Sequence, residues 1–132
     1  MKSETILLAT KVWQNILAEA QATTSAEPVM ESYLKSTITN HDNLGSALSF
    51  HLSQKLASAS FPAAMIRTIM DDTFKDPAIV DQAARDIQAT MDRDSACKLY
   101  SSPFLYFKGF LSLQAYRVAH QLWNQGRTSL AL

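Results

Sequence analysis

Four prolines punctuate this chain, and each stands where a helix would begin. Asp76-Pro77 and Ser102-Pro103 pair a capping side chain with the residue best suited to the first helical position. There proline gives up only an amide donor that had no partner. Ser25 precedes Ala26-Glu27-Pro28, and Ser60-Phe61-Pro62 reads as another start. Asn40, followed by Asp42 and Asn43, opens a further segment. Between these signals apolar residues recur at helical spacing. The first stripe is Ile6, Leu7, Val12, Trp13, Ile16 and Leu17, and the second is Val29, Met30, Tyr33 and Leu34. Then come Leu44, Leu48, Leu52 and Leu56, followed by Met65, Ile66, Ile69 and Met70, and by Val80, Ala84, Ile87 and Met91. Alternating strand patterns are nearly absent, and no Asn-Gly or Asp-Gly hairpin turn occurs. The spacing predicts an all-α, compact domain of about six or seven helices, joined by short connections.

At 132 residues, 47% of them hydrophobic, the chain reads as one domain, residues 1–132, able to bury a core without staples. Gly126 looks like a helix stop after Trp123-Asn124-Gln125, and Arg127 to Leu132 begins a new apolar pattern, as if the chain broke off where another helix starts. Twelve basic and twelve acidic residues cancel, so no strong field draws in nucleic acid or an anionic membrane. The distribution is uneven. Lys98, Lys108, Arg117 and Arg127 lie in a last third without an acid, while Asp71, Asp72, Asp76 and Asp81 cluster upstream. These read as two solvated faces that attract each other within the fold or across an interface, with a ligand site as the alternative. A helical nucleic-acid binder using those four cations lacks a recognition-helix signature. Cys97 is the one cysteine, so no internal disulfide forms. Neither a signal peptide nor a membrane span is evident, and the chain is read as cytoplasmic.

Most catalytic patterns are absent. The three glycines, Gly45, Gly109 and Gly126, are too far apart for a phosphate loop. His41, His51 and His120 lack metal-ligand spacing, so no metal is expected. His120 shares a stripe with Leu113, Tyr116 and Trp123 and reads as a packed or interface histidine. His41 reads as a solvent or capping residue, and His51 as surface. Gly45 lies inside a helical pattern, where glycine costs about 1 kcal/mol relative to alanine, and the close approach of another backbone explains it. Asp92-Arg93-Asp94 admits two readings. One is local charge pairing at a helix end. The other is a carboxylate held at a cleft to accept hydrogen bonds from a ligand ammonium, a contact stronger than a neutral one.

Motifs in order carry a resemblance. They are Val12-Trp13-Gln14-Asn15-Ile16-Leu17-Ala18-Glu19-Ala20, Glu27-Pro28-Val29-Met30 and His41-Asp42-Asn43-Leu44-Gly45-Ser46-Ala47-Leu48-Ser49. Gln54-Lys55-Leu56, Asp76-Pro77 and Ala83-Ala84-Arg85-Asp86-Ile87-Gln88-Ala89 follow. Last come Arg93-Asp94, Ser102-Pro103-Phe104-Leu105-Tyr106-Phe107-Lys108-Gly109-Phe110, Gln114-Ala115-Tyr116-Arg117 and Leu122-Trp123-Asn124-Gln125-Gly126-Arg127. Over nearly its whole length the chain resembles the N-terminal helical domain of the serine acetyltransferases.

The resemblance implies the rest. The family moves an acetyl group from acetyl-CoA to the serine hydroxyl, giving O-acetylserine, and cysteine inhibits it at the serine site. In the family a left-handed parallel β-helix follows this domain, trimerises, binds acetyl-CoA and supplies the general base, while the helical domains join two trimers into a hexamer. A far C-terminal tail binds O-acetylserine sulfhydrylase. Asp94 falls on the aspartate that contacts the amino group of serine or cysteine, with Arg93 supporting it. Ser95 stands where the family commonly has proline. The β-helix, the acetyl-CoA site and the catalytic histidine have no counterpart in these residues, so no catalytic residue or cofactor is expected in this chain, which alone is expected to be inactive. The alternative is a free-standing, non-catalytic oligomerisation or interaction module derived from that domain.

Overall fold

The computed structural model describes residues 2–132, with side chains from Leu7 onward. Ile6, placed on the first stripe, lies outside the described side chains. The architecture is all-α: among the described residues there are eight α-helices and no strand. They are α1 (Lys2–Ala26), α2 (Glu31–Leu34), α3 (Leu44–Leu56), α4 (Ala63–Phe74), α5 (Pro77–Arg93), α6 (Ser101–Tyr106), α7 (Lys108–Asn124) and α8 (Thr128–Ala131). A 3-10 turn (Pro28–Met30) leads into α2, and a π-helical turn (Lys35–Thr39) leads out of it. The excess over the sequence estimate lies in the two four-residue helices, α2 and α8.

Start signals whose partners lie within a few residues behave as read. Asn43 caps α3 by accepting from the Ser46 amide at 2.9 Å. Asp76 caps α5 by accepting from Ala78 N–H at 2.9 Å, with Pro77 in the first turn. Gly126 has φ of 81°, and the bonds Gly126 N–H to Trp123 O and Arg127 N–H to Leu122 O close α7 as a Schellman turn.

Three serines do not cap. Ser25 sits in the last turn of α1, where its hydroxyl donates back to Gln21 O at 3.1 Å. Ser60 gives way to Ser58, whose Oγ accepts from Phe61 N–H. Ser102 lies inside α6, whose first amides are met by a residue from another helix, described below.

α3 and α4 pack as a helical hairpin, and α1 lies along α5. Val12, Trp13, Ile16 and Ala20 from α1 meet Leu44, Leu48 and Leu52 from α3, Ala84 and Ile87 from α5, and Phe104 from α6 in one core. Side chains of this kind each contribute about 1.5–3 kcal/mol on full burial. The stripes overreach at their ends: Leu7, Val29, Tyr33, Leu56 and Met65 are exposed. Gly45 is where α3 meets the end of α4. A Cβ there would lie 2.7 Å from Phe74 O and 3.1 Å from Val80 Cγ2, so the expected backbone approach is real.

His51 corrects the sequence reading. It is 3% exposed, stacks on Phe104 and donates from Nε2 to Leu105 O at 3.1 Å. Its position in α3 faces α6, not solvent. The acidic cluster is also met locally more than across the fold: Asp71 lies 3.8 Å from Arg67, Asp72 2.8 Å from Lys75 and Asp81 2.7 Å from Arg85. Of the C-terminal cations, Arg127 adds to Lys75 in holding the Asp72 carboxyl below its usual value. Arg117 turns instead to Asp86.

Candidate functional site

α5 ends in a turn built by Asp94. The Asp94 N–H still bonds to Thr90 O at 2.9 Å, so the residue closes the helix. Its carbonyl then accepts from Cys97 N–H at 3.0 Å, and its Oδ1 accepts from Ala96 N–H at 2.9 Å. The side chain thus fixes its own turn with one oxygen. Among the described residues Oδ2 has no partner. Asp94 is exposed and borders a shallow hollow of about 480 Å³ with Ala89, Thr90, Arg93 and Ser95. Ser95 lies within this turn and leaves it closed.

Asp92, Arg93 and Asp94 do not pair with one another. Asp92 accepts from Gln88 Nε2 at 3.0 Å, and among the described residues no carboxylate lies within ion-pair distance of Arg93. The local charge-pairing reading therefore fails. Among the described residues the second Asp94 oxygen and the Arg93 guanidinium, both on this open rim, have no partner.

Beyond the turn the chain goes inward. Cys97 is 5% exposed, with Sγ 3.5 Å from Met91 Sδ and from Leu99 O. Burial pushes its thiol up, and the charges of Asp94 and Glu19 add to this. Such a thiol is a packing group rather than a nucleophile. Tyr100 donates its hydroxyl to Gln88 Oε1 at 3.2 Å, tying the loop back to α5.

Glu19, from α1, then spans the start of α6. Its Oε2 accepts from Tyr100 N–H at 2.9 Å and its Oε1 from Ser101 N–H at 2.8 Å. A carboxylate at a helix N-terminus meets both free amides and the positive end of the helix dipole. Sequence reading missed Glu19. The available signal was an acid three residues past buried Ile16 and one before buried Ala20, at the edge of a stripe that should be apolar.

α5 is clamped on a second face. Asp86 Oδ2 accepts from Gln114 Nε2 at 2.8 Å and from Arg117 Nη1, which also donates to Gln114 Oε1 at 2.9 Å. Gln114 is fully buried, so its amide has no water to fall back on.

A larger hollow lies elsewhere. About 620 Å³ opens between Trp13, Asn43, Gly45, Ser49, Phe74 and Pro77, at the opposite end of α5. The helix has 17 residues, which puts this hollow roughly 25 Å from Asp94. Its rim carries Asp42, Asp71 and Lys75.

Among the described residues the histidines pair with neutral groups. His120 is exposed, accepts from Asn124 Nδ2 at 3.2 Å and stacks with Tyr116, with no carboxylate partner among the described residues. His41 bridges Ser36 O at 2.8 Å and Ser46 Oγ at 3.1 Å. Among the described residues no group of three His, Cys, Asp or Glu could hold a metal ion, and no helix is long and apolar enough to cross a membrane. Leu113, Tyr116, His120 and Trp123 line an exposed face of α7.

A family model described as the N-terminal part of serine acetyltransferase matches residues 12–115. The chain is 50% identical over 122 residues to a serine acetyltransferase of Salmonella typhimurium, covering 92% of this chain and 45% of that protein. A solved serine acetyltransferase in complex with cysteine superposes at a TM-score of 0.90 with 48% identity, covering 92% of this chain and 51% of that one. One in complex with CoA does so at 0.90 and 48%, covering 93% and 53%. This chain spans about half the length of the relatives it matches.

Proposed function

Because this chain belongs to the serine acetyltransferase family through that family's N-terminal domain, we propose that it supplies the turn that binds the amino acid in a serine O-acetyltransferase. The complete enzyme moves an acetyl group from acetyl-CoA to the serine hydroxyl, releasing CoA, as the first step toward cysteine. In this reading residues 1–132 are the helical domain, and the transfer itself belongs to the family's β-helix. These residues contribute recognition and assembly.

The observation that carries the reading is the Asp94 turn. One carboxylate oxygen is spent on Ala96 N–H, which fixes the direction of the other. A free, oriented carboxylate oxygen suits an α-ammonium group. Serine and cysteine share that ammonium, so one acceptor serves substrate and inhibitor alike. The relative solved with cysteine supports a site of this kind in the family. Arg93, unpaired on the same rim, would support the negative end of the ligand. The hexameric assembly has its best surface in the exposed face of α7, and the sulfhydrylase partner would meet the family's C-terminal tail. The expected compartment is the cytoplasm.

The test is Asp94→Asn in the complete acetyltransferase that carries this domain. Loss of the charge should raise the serine KM and the cysteine inhibition constant together, by about tenfold or more, with the acetyl-CoA KM unchanged. If both amino-acid constants stay where they were, Asp94 is not in the site.

A second reading is a free-standing interaction module without catalysis. The exposed α7 face favours it. Sedimentation of the 132-residue chain checks it: a strict monomer with no affinity for the complete enzyme removes it.

A further inference from the structure

We propose that Glu19 is a positioning residue for Asp94, holding the recognition turn in place from the opposite side of the loop; the inference rests on the reading of Asp94 given above. The segment from Asp94 to Ser101 is fixed at both ends. At the near end Asp94 is still bonded to α5 through Thr90 O. At the far end Glu19 takes the amides of Tyr100 and Ser101, one oxygen to each. Between them Cys97 is buried and its N–H bonds to Asp94 O. A short chain with both ends held and its middle packed leaves the Asp94 carboxylate little choice of direction.

The anchor is itself rigid. Glu19 leaves α1 between Ile16 and Ala20, both buried in the core. α1 also packs along α5, the helix that Asp94 terminates. One helix therefore sets both ends of the loop, α5 by packing and Tyr100–Ser101 by a carboxylate. Asp94 and Glu19 both lie close enough to Cys97 for their charges to help push its thiol up. They are not interchangeable. Both oxygens of Glu19 are engaged by amides, so it does not compete for a ligand ammonium. Asp94 keeps one oxygen free among the described residues.

The experiment uses the complete acetyltransferase carrying this domain, with Glu19→Gln, Asp94→Asn and the double variant. Gln fills the same space and can still accept one amide, but loses the charge and the second acceptor. Glu19→Gln should raise the serine KM and the cysteine inhibition constant by about tenfold, leaving kcat at saturating serine and the acetyl-CoA KM within about twofold. In the Asp94→Asn background the same change should add less than about twofold, because Glu19 acts through Asp94. A purely structural role would instead lower the amount of active enzyme and leave the ratio of these constants alone. The proposal is overturned if Asp94→Asn moves the amino-acid constants and Glu19→Gln does not, or if the two effects multiply independently. If Asp94→Asn is itself silent, the site reading falls and the positioning role falls with it, an outcome distinct from the first. Glu19→Asp, which keeps the charge and shortens the reach, is the second variant should Gln impair folding. It should raise the same two constants to a smaller degree, and unchanged constants would count against the proposal.

Discussion

Two neighbouring helices are held in opposite ways. α5 is closed by aspartates belonging to its own ends, Asp76 accepting from Ala78 N–H and Asp94 donating its N–H to Thr90 O. α6 is held by residues from far along the chain. Glu19, 81 and 82 positions away, takes the amides at its start, and His51, 54 positions away, donates to Leu105 O near its end. α5 has 17 residues and an apolar stripe; α6 has six. A helix that short is not stable by itself, since nucleation outweighs the few bonds it gains. Its order is lent by tertiary contacts, while α5 closes its ends unaided.

This contrast can be broken first by substitution at the caps. Glu19→Ala leaves two amides in partly buried surroundings without an acceptor and should cost about 2–3 kcal/mol. Asp76→Ala removes one exposed local cap and should cost about 1 kcal/mol. Denaturant midpoints of the two variants measure both, and equal losses would mean that the remote cap is no stronger than the local one.

The other end of α6 responds to pH. Burial holds the His51 imidazole below its ordinary value of 6.5, the Leu105 hydrogen bond opposes this, and Lys55 adds to it. The unfolded chain therefore takes up a proton, in the window below 6.5, that the folded chain refuses. The contribution is complete above that value and is lost as pH falls toward the folded one. His51→Gln, which can keep the bond to Leu105 O, should flatten stability over this acid window; an unchanged slope would remove His51 from it. The smallest effects belong to the serines that look like caps and are not. Ser25→Ala and Ser102→Ala should each shift stability by less than about 0.5 kcal/mol, and a loss near 1 would restore them as caps.

The same contrast explains what could be read in advance. Asp76-Pro77, Asn43 and Gly126 act on residues within a few positions, so type and spacing carried the information. Gly45 was legible because a glycine inside a helix has few reasons to be there, and the Phe74 carbonyl is that reason. Ser25, Ser60 and Ser102 have the same type and spacing, yet helix extension or a better-placed acceptor overrides them. His51 and Glu19 were misread or missed because their partners are set by how α1, α3 and α6 meet. Asp94 came from the order of family motifs. Its free oxygen and its turn came only with the backbone path.

The Glu19 bridge also bears on how the molecule assembles. α5 can close as soon as its own turns form. The Asp94–Tyr100 loop cannot settle until the chain has drawn Glu19 and Tyr100 together across 81 residues, at the entropic cost such a closure carries. In the proposed reading the amino-acid site is thus completed only when α1 reaches the loop through Glu19, and is lost when α1 leaves.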